Sequence, residues 1–119
     1  MPTVQDIARD SGVGKLERHV FLCRGPKCCP HERAEGVWKF LKNRLKELGL
    51  AGPDRFVGRS KADCLRVCQD GPIALVYPEG AWYDRVDETK MERIIQGHCV
   101  GGRPLDDAFA VHPLTGSKT

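Results

Sequence analysis

Two groups of thiols set far apart limit what this chain can become more than any other feature. The stretch FLCRGPKCCPHE, Phe21 to Glu32, holds Cys23, Cys28 and Cys29, and DCLRVC, Asp63 to Cys68, holds Cys64 and Cys68. Thirty-five residues separate Cys28 from Cys64, room for one helix and one returning strand. His19 to Leu22 reads as a short buried strand that delivers Cys23 at its end, and Gly25-Pro26 turns the chain. From Glu32 the period changes: Ala34, Val37, Trp38, Leu41, Leu45 and Leu48 recur at helical spacing, with Pro30 near the first turn and Gly49 as a stop. Arg33, Lys39, Lys42, Asn43 and Lys46 fall on the other side, a solvated face.

Arg55 to Arg59 reads as a second strand, and strand-helix-strand of this length predicts parallel pairing through a crossover. Ile73 to Tyr77 and Ala81 to Arg85 flank Pro78-Glu79-Gly80 and predict an antiparallel hairpin. Asp87 is an N-cap candidate for a closing helix whose inner face is Met91, Ile94, Ile95 and His98. The order strand, helix, strand, strand, strand, helix gives an α/β domain over residues 18–102. Residues 1–17 are an arm and residues 103–119, after Gly101-Gly102, a tail. Trp38 is expected in the core, and Trp82 and Tyr83 in the core or at a contact with another chain.

At 119 residues, with 40% hydrophobic and 29% charged residues, the chain fits one ordinary globular domain. No apolar run has membrane-spanning length, and the first residues lack the apolar block of a secretory signal, so the expected location is the cytoplasm and no membrane partner is expected. The net charge of +3 is mild, and no basic run interleaved with aromatics points to nucleic acid. Six cysteines are many for a reducing compartment, where thiol clusters more often bind metal than form disulfides. The redox C-x2-C dithiol, a phosphate-cradling glycine loop and a nucleophile-base pair are all missing, which argues against an enzyme.

Cys23 and Cys28 make C-x4-C, Cys64 and Cys68 make C-x3-C, and the strand order brings both pairs to one end of the sheet. Four thiolates suit either zinc or an iron-sulfur cluster. Zinc knuckles favour tight spacing, whereas a binuclear cluster is wrapped more comfortably by longer loops, so the spacing leans toward iron and sulfide.

HVFLC, KC and DCLRVCQDGPIALVYPEGAWY resemble the thioredoxin-like [2Fe-2S] ferredoxins, over about His19 to Gly102, and the spacing is similar to that of the related cluster-binding small subunit of NADH:quinone oxidoreductase. The resemblance implies a thioredoxin-like fold with a central mixed sheet of about four strands and two main helices. It also implies one [2Fe-2S] cluster near the surface, a one-electron carrier serving partner oxidoreductases, and a homodimer. The family's first ligand falls on Cys23, and its third and fourth fall on Cys64 and Cys68. The doublet offers Cys28 or Cys29 as the second; Cys28 reproduces the subunit-type spacing and is chosen. Cys29 and Cys99 are then spectators, and His31, His98 and His19 are read as a polar surface residue, a helix-end residue and a strand-edge residue. The helix start near Pro30, with Arg24, Lys27 and Arg66, supplies positive potential, and N-H groups of the Gly25 and Gly71 loops are expected to face sulfur. The alternative of another class is a zinc- or cluster-bearing accessory or regulatory module that carries no electrons.

Overall fold

Val20 and Leu22 are buried and alternate with His19 and Phe21 in β1 (Arg18–Cys23), so one side of this strand faces a core and the other faces outward. The computed structural model describes residues 1–51, 57–67 and 69–114. Its sheet has the order β2-β1-β3-β4-β5, with β2 (Val57–Ala62) parallel to β1 and β3 (Ala74–Tyr77), β4 (Ala81–Tyr83) and β5 (Ala110–Val111) joined by antiparallel pairs.

A short helix, α1 (Val4–Asp10), lies in the N-terminal arm, closed by a capping box between Thr3 and Asp6, and buries none of its residues. The long helix α2 (His31–Glu47) starts at Pro30 and stops at Leu48-Gly49, as the sequence pattern predicts. Ala34, Val37, Leu41 and Leu45 form its buried stripe. The closing helix begins as α3 (Glu88–Arg93), where the Asp87 carboxylate accepts the Lys90 N-H at 2.8 Å, and continues as a π-helical segment, Ile94–Val100. Val20, Leu22, Val57, Val76, Leu41 and Ile94 belong to one apolar cluster that joins sheet and helices. Arg44 on α2 grips Glu92 on α3 through two bonds of 2.8 and 3.2 Å.

Three elements differ from the sequence reading. The second strand does not end at Arg59 but runs on through Ser60, Lys61 and Ala62; Arg55 and Phe56, where it was expected to start, lie outside the described residues. The extra residues Ser60 and Lys61 are polar because β2 is the sheet edge, and the ladder is set by the six residues of β1, ending with Cys23 opposite Ala62. The hairpin strands are shorter than Ile73–Tyr77 and Ala81–Arg85. Beyond them the sheet gains a fifth, two-residue strand from the tail, in which Ala110 lies opposite Trp82.

His98, expected on the inner face of the closing helix near its end, is fully buried. Its Nδ1 lies 2.9 Å from the Tyr83 hydroxyl and its Nε2 2.7 Å from Glu79 Oε1. The Glu79 carboxylate only accepts, so the imidazole proton sits on Nε2 and the Tyr83 hydroxyl, whose oxygen also accepts the Leu105 N-H at 2.9 Å, donates to His98 Nδ1. Arg18 pairs with the other Glu79 oxygen at 3.0 Å and donates to the Gly102 carbonyl at 2.9 Å. This network ties tail, turn and first strand together.

Burial holds the His98 imidazole below its ordinary 6.5, although the Glu79 hydrogen bond and charge pull the other way. A folded-state pKa below the unfolded one means that the unfolded chain binds more protons as pH falls, so stability is full above about pH 6.5 and declines below it. The expected slope is at most about 1.4 kcal/mol per pH unit. Urea unfolding between pH 7.5 and pH 5.5 checks this, and His98→Gln is expected to flatten the profile while lowering stability throughout.

Candidate metal centre

The parallel pair β1 and β2 ends on one side of the molecule, and the chain beyond each end carries thiols. The Cys23 N-H bonds the Ile73 carbonyl at 2.9 Å, and the Arg24 N-H bonds the Ala62 carbonyl at 2.8 Å, so the sheet ladder positions the start of both loops. Gly25 then turns the chain at φ +76°, with Cys29 backbone packed so closely that a side chain would overlap its carbonyl oxygen. Cys28 and Cys29 point inward and are buried, and Pro30 opens α2 directly after them.

Cys23, Cys28 and Cys64 line one cavity of about 390 Å³, together with Arg24, Lys27, His31 and Val67. The Cys23 and Cys28 sulfurs are 2.7 Å apart, and Cys29 Sγ lies 3.7 Å from Cys28 Sγ without lining the cavity. Cys99 sits elsewhere, in the main apolar core. The assigned fourth ligand, Cys68, lies outside the described residues. Among the described residues no three His, Cys, Asp or Glu side chains close on a single-ion position; what converges is the three-cysteine wall of a wider cavity.

Backbone N-H groups face the sulfurs. Gly25 N-H reaches Cys23 Sγ at 3.5 Å, and Arg66 N-H reaches Cys64 Sγ at 3.2 Å, Arg66 holding φ at +71° to do so. The Gly71 N-H itself is taken by the Cys28 carbonyl at 2.9 Å. Gly71 matters by its missing side chain, since a Cβ there would lie 2.7 Å from Cys28 Cβ and 2.8 Å from its sulfur. His31 lines the cavity, but its Nδ1 donates to the Arg24 carbonyl at 3.1 Å, which braces the loop. Burial pushes the thiols of Cys23 and Cys28 up, and the N-H groups pull them down. A bound cation reverses that balance, since it stabilises thiolates directly. Sulfur donors, N-H groups aimed at sulfur, Val67 on the cavity wall and the apolar packing of Ile73 and Leu65 behind the thiols make a setting that fits a thiolate-ligated group.

No family model matches the chain. It is 37% identical over 98 residues to a 2Fe-2S ferredoxin of Aquifex aeolicus, covering 75% of this chain and 85% of that one. The chain belongs to the 2Fe-2S ferredoxin family. A second family relative, the 2Fe-2S ferredoxin of Clostridium pasteurianum, is 27% identical over 92 residues, covering 72% and 88% of the two chains. The architecture agrees with the ferredoxin assignment. The structure of a thioredoxin-like [2Fe-2S] ferredoxin from Aquifex aeolicus superposes with a TM-score of 0.67 over 87% of this chain and 99% of that one, at 22% identity. The fold is thioredoxin-like, and ferredoxins are electron carriers.

Proposed function

We propose that this ferredoxin carries one electron at a time on a single [2Fe-2S] cluster ligated by Cys23, Cys28, Cys64 and Cys68, and catalyses no reaction of its own. The observation that carries the reading is the cavity walled by Cys23, Cys28 and Cys64 in a chain of ferredoxin kinship. When bound, the cluster supplies a one-electron couple and brings negative charge to the site. The protein's own groups oppose that charge. The N-terminus of the 17-residue α2, the N-H groups of Gly25 and Arg66, and the side chains of Arg24 and Lys27 all favour the electron-rich form.

The proposal extends to its setting: partner reductases or oxidoreductases as donors and acceptors, a homodimer, and a cytoplasmic location without membrane or nucleic-acid ligands. The cluster domain is assigned to residues 18–102, with 1–17 as an arm and 103–119 as a tail. In support, no helix among the described residues is long and apolar enough to cross a membrane.

Protein prepared anaerobically is expected to be brown, to contain iron and acid-labile sulfide in equal amounts, and to give a rhombic EPR signal after dithionite. Colourless protein holding zinc and taking up no iron overturns the carrier reading and leaves the accessory-module alternative.

A further inference from the structure

Charge is unevenly distributed along this chain. Between Arg24 and Arg66 eleven Lys and Arg face five Asp and Glu, whereas from Val67 to Thr119 there are five against eight. The fold gathers part of the excess beside the thiol cavity. Arg24 and Lys27 line it, and Arg66 is exposed on the second loop. Down α2, His31, Glu35, Trp38 and Lys42 follow at i, i+4, i+7 and i+11, a single stripe that begins at the cavity. Glu35 lies 3.9 Å from the His31 ring and 3.5 Å from Lys61 Nζ on β2. Lys61 Nζ and the Arg59 guanidinium sit 5.3 and 5.5 Å from the centre of the Trp38 ring. Trp38 is therefore not simply a core residue: it packs on the core from one side and is covered by two cations on the other.

We propose that this strip, from Arg24 and Lys27 past Trp38 to Lys42, is the docking face for an acidic protein surface on the redox partner. The inference rests on the carrier reading and goes beyond it by naming the face and the chemistry that meets it. Three features argue for it. The strip borders the cavity, so a partner seated there is brought against the site of electron exit. Lys61 and Arg59 are already placed by the Trp38 ring, so less side-chain freedom is lost on binding. Tryptophan and arginine at the middle of a polar surface are the residue types that dominate binding hot spots, and the surrounding cations speed encounter with a negative partner. A protein partner is favoured over nucleic acid because Glu35 and Asp63 lie in the same strip; a partner with mixed charges can answer them, whereas a phosphate backbone is repelled.

The test uses the iron-loaded protein and two probes of equal length, a fluorescein-labelled peptide of glutamates interspersed with a few lysines and a labelled oligothymidylate, read by anisotropy. The peptide is expected to bind, with affinity falling as salt is raised. Lys42→Glu/Lys61→Glu and, as a second pair, Lys42→Glu/Arg59→Glu are each expected to weaken it about tenfold, with visible absorption unchanged. Lys15→Glu/Arg103→Glu, an equal charge change outside the strip, is expected to weaken it far less. Unchanged binding in both strip variants, or an equal loss in the control, overturns the docking face, and tighter binding of oligothymidylate overturns it in favour of nucleic acid. Iron-loaded protein that ignores the peptide sinks this inference alone; iron-free protein sinks the carrier reading and the redox role of the strip with it.

Discussion

Cys28→Ser is expected to lose or distort the cluster, with iron content lowered or the visible spectrum changed, and Cys29→Ser to leave both close to wild type. The two thiols are adjacent in sequence and equally buried, each 7% exposed, so exposure does not separate them. Position does. Cys28 lines the cavity with Cys23 and Cys64, its sulfur 2.7 Å from that of Cys23, while Cys29 stands behind it at 3.7 Å and contributes backbone to the Gly25 turn. A serine oxygen is a harder and less readily ionised donor than a thiolate sulfur, so each ligand exchange weakens or alters the iron site. The same effect is expected for Cys23→Ser, Cys64→Ser and Cys68→Ser. Cys99→Ser is expected to keep the cluster, since its thiol, pushed up to about 12 by burial, sits in the apolar core as a small neutral group. Iron per chain and the visible spectrum check the series; retention in Cys28→Ser with loss in Cys29→Ser transfers the ligand to Cys29.

Gly71→Ala is expected to combine a large loss of stability with a loss of cluster. The added methyl would sit 2.7, 2.8 and 2.9 Å from the Cβ, sulfur and carbonyl oxygen of Cys28, three atoms with no freedom to swing aside. The Gly71 N-H is bonded to that same carbonyl, and the Val86 N-H holds the next carbonyl, of Pro72, at 3.0 Å, so the loop is pinned from both sides. Relief has to come from separating the loop from Cys28, the residue that must stay in place. Overpacking of this kind costs about 1–3 kcal/mol or more. Gly36→Ala is the internal comparison: in the middle of α2, its Cβ would meet only a Glu88 oxygen at 3.9 Å, and the helix is expected to gain about 0.5–1 kcal/mol. Thermal unfolding with iron content measured on the same samples separates the two outcomes.

Much of this was readable before any coordinates. The 3.6-residue period from Ala34 to Leu45 and the alternation around Val20 and Leu22 each answer to one dominant force, burial of an apolar stripe, and both elements fall where the pattern puts them. The polar end of β2 has no such stripe, because an edge strand is held by its ladder to β1 and not by its side chains. β5 is two residues long and exists only because Phe109 and His112 N-H groups find the Trp82 and Gly80 carbonyls, contacts with no local signature. His98 did fall on the inward face with Met91, Ile94 and Ile95; its burial was hidden because its partners Tyr83 and Glu79 come from the hairpin. At the site, spacing grouped the thiols, yet the contact of Gly71 with Cys28 spans 43 positions and leaves no trace in either loop.

The parallel pairing that sets Cys23 opposite Ala62 also imposes an order of events on biosynthesis. A chain emerging from the ribosome exposes Cys23 and Cys28 while the segment that carries Cys64 is still unmade. At about 5–20 residues per second that interval lasts roughly 2–7 s. On the proposed four-cysteine ligation, iron is expected to be held only once the crossover is complete. Until then the early thiols stay without their partners from the second loop.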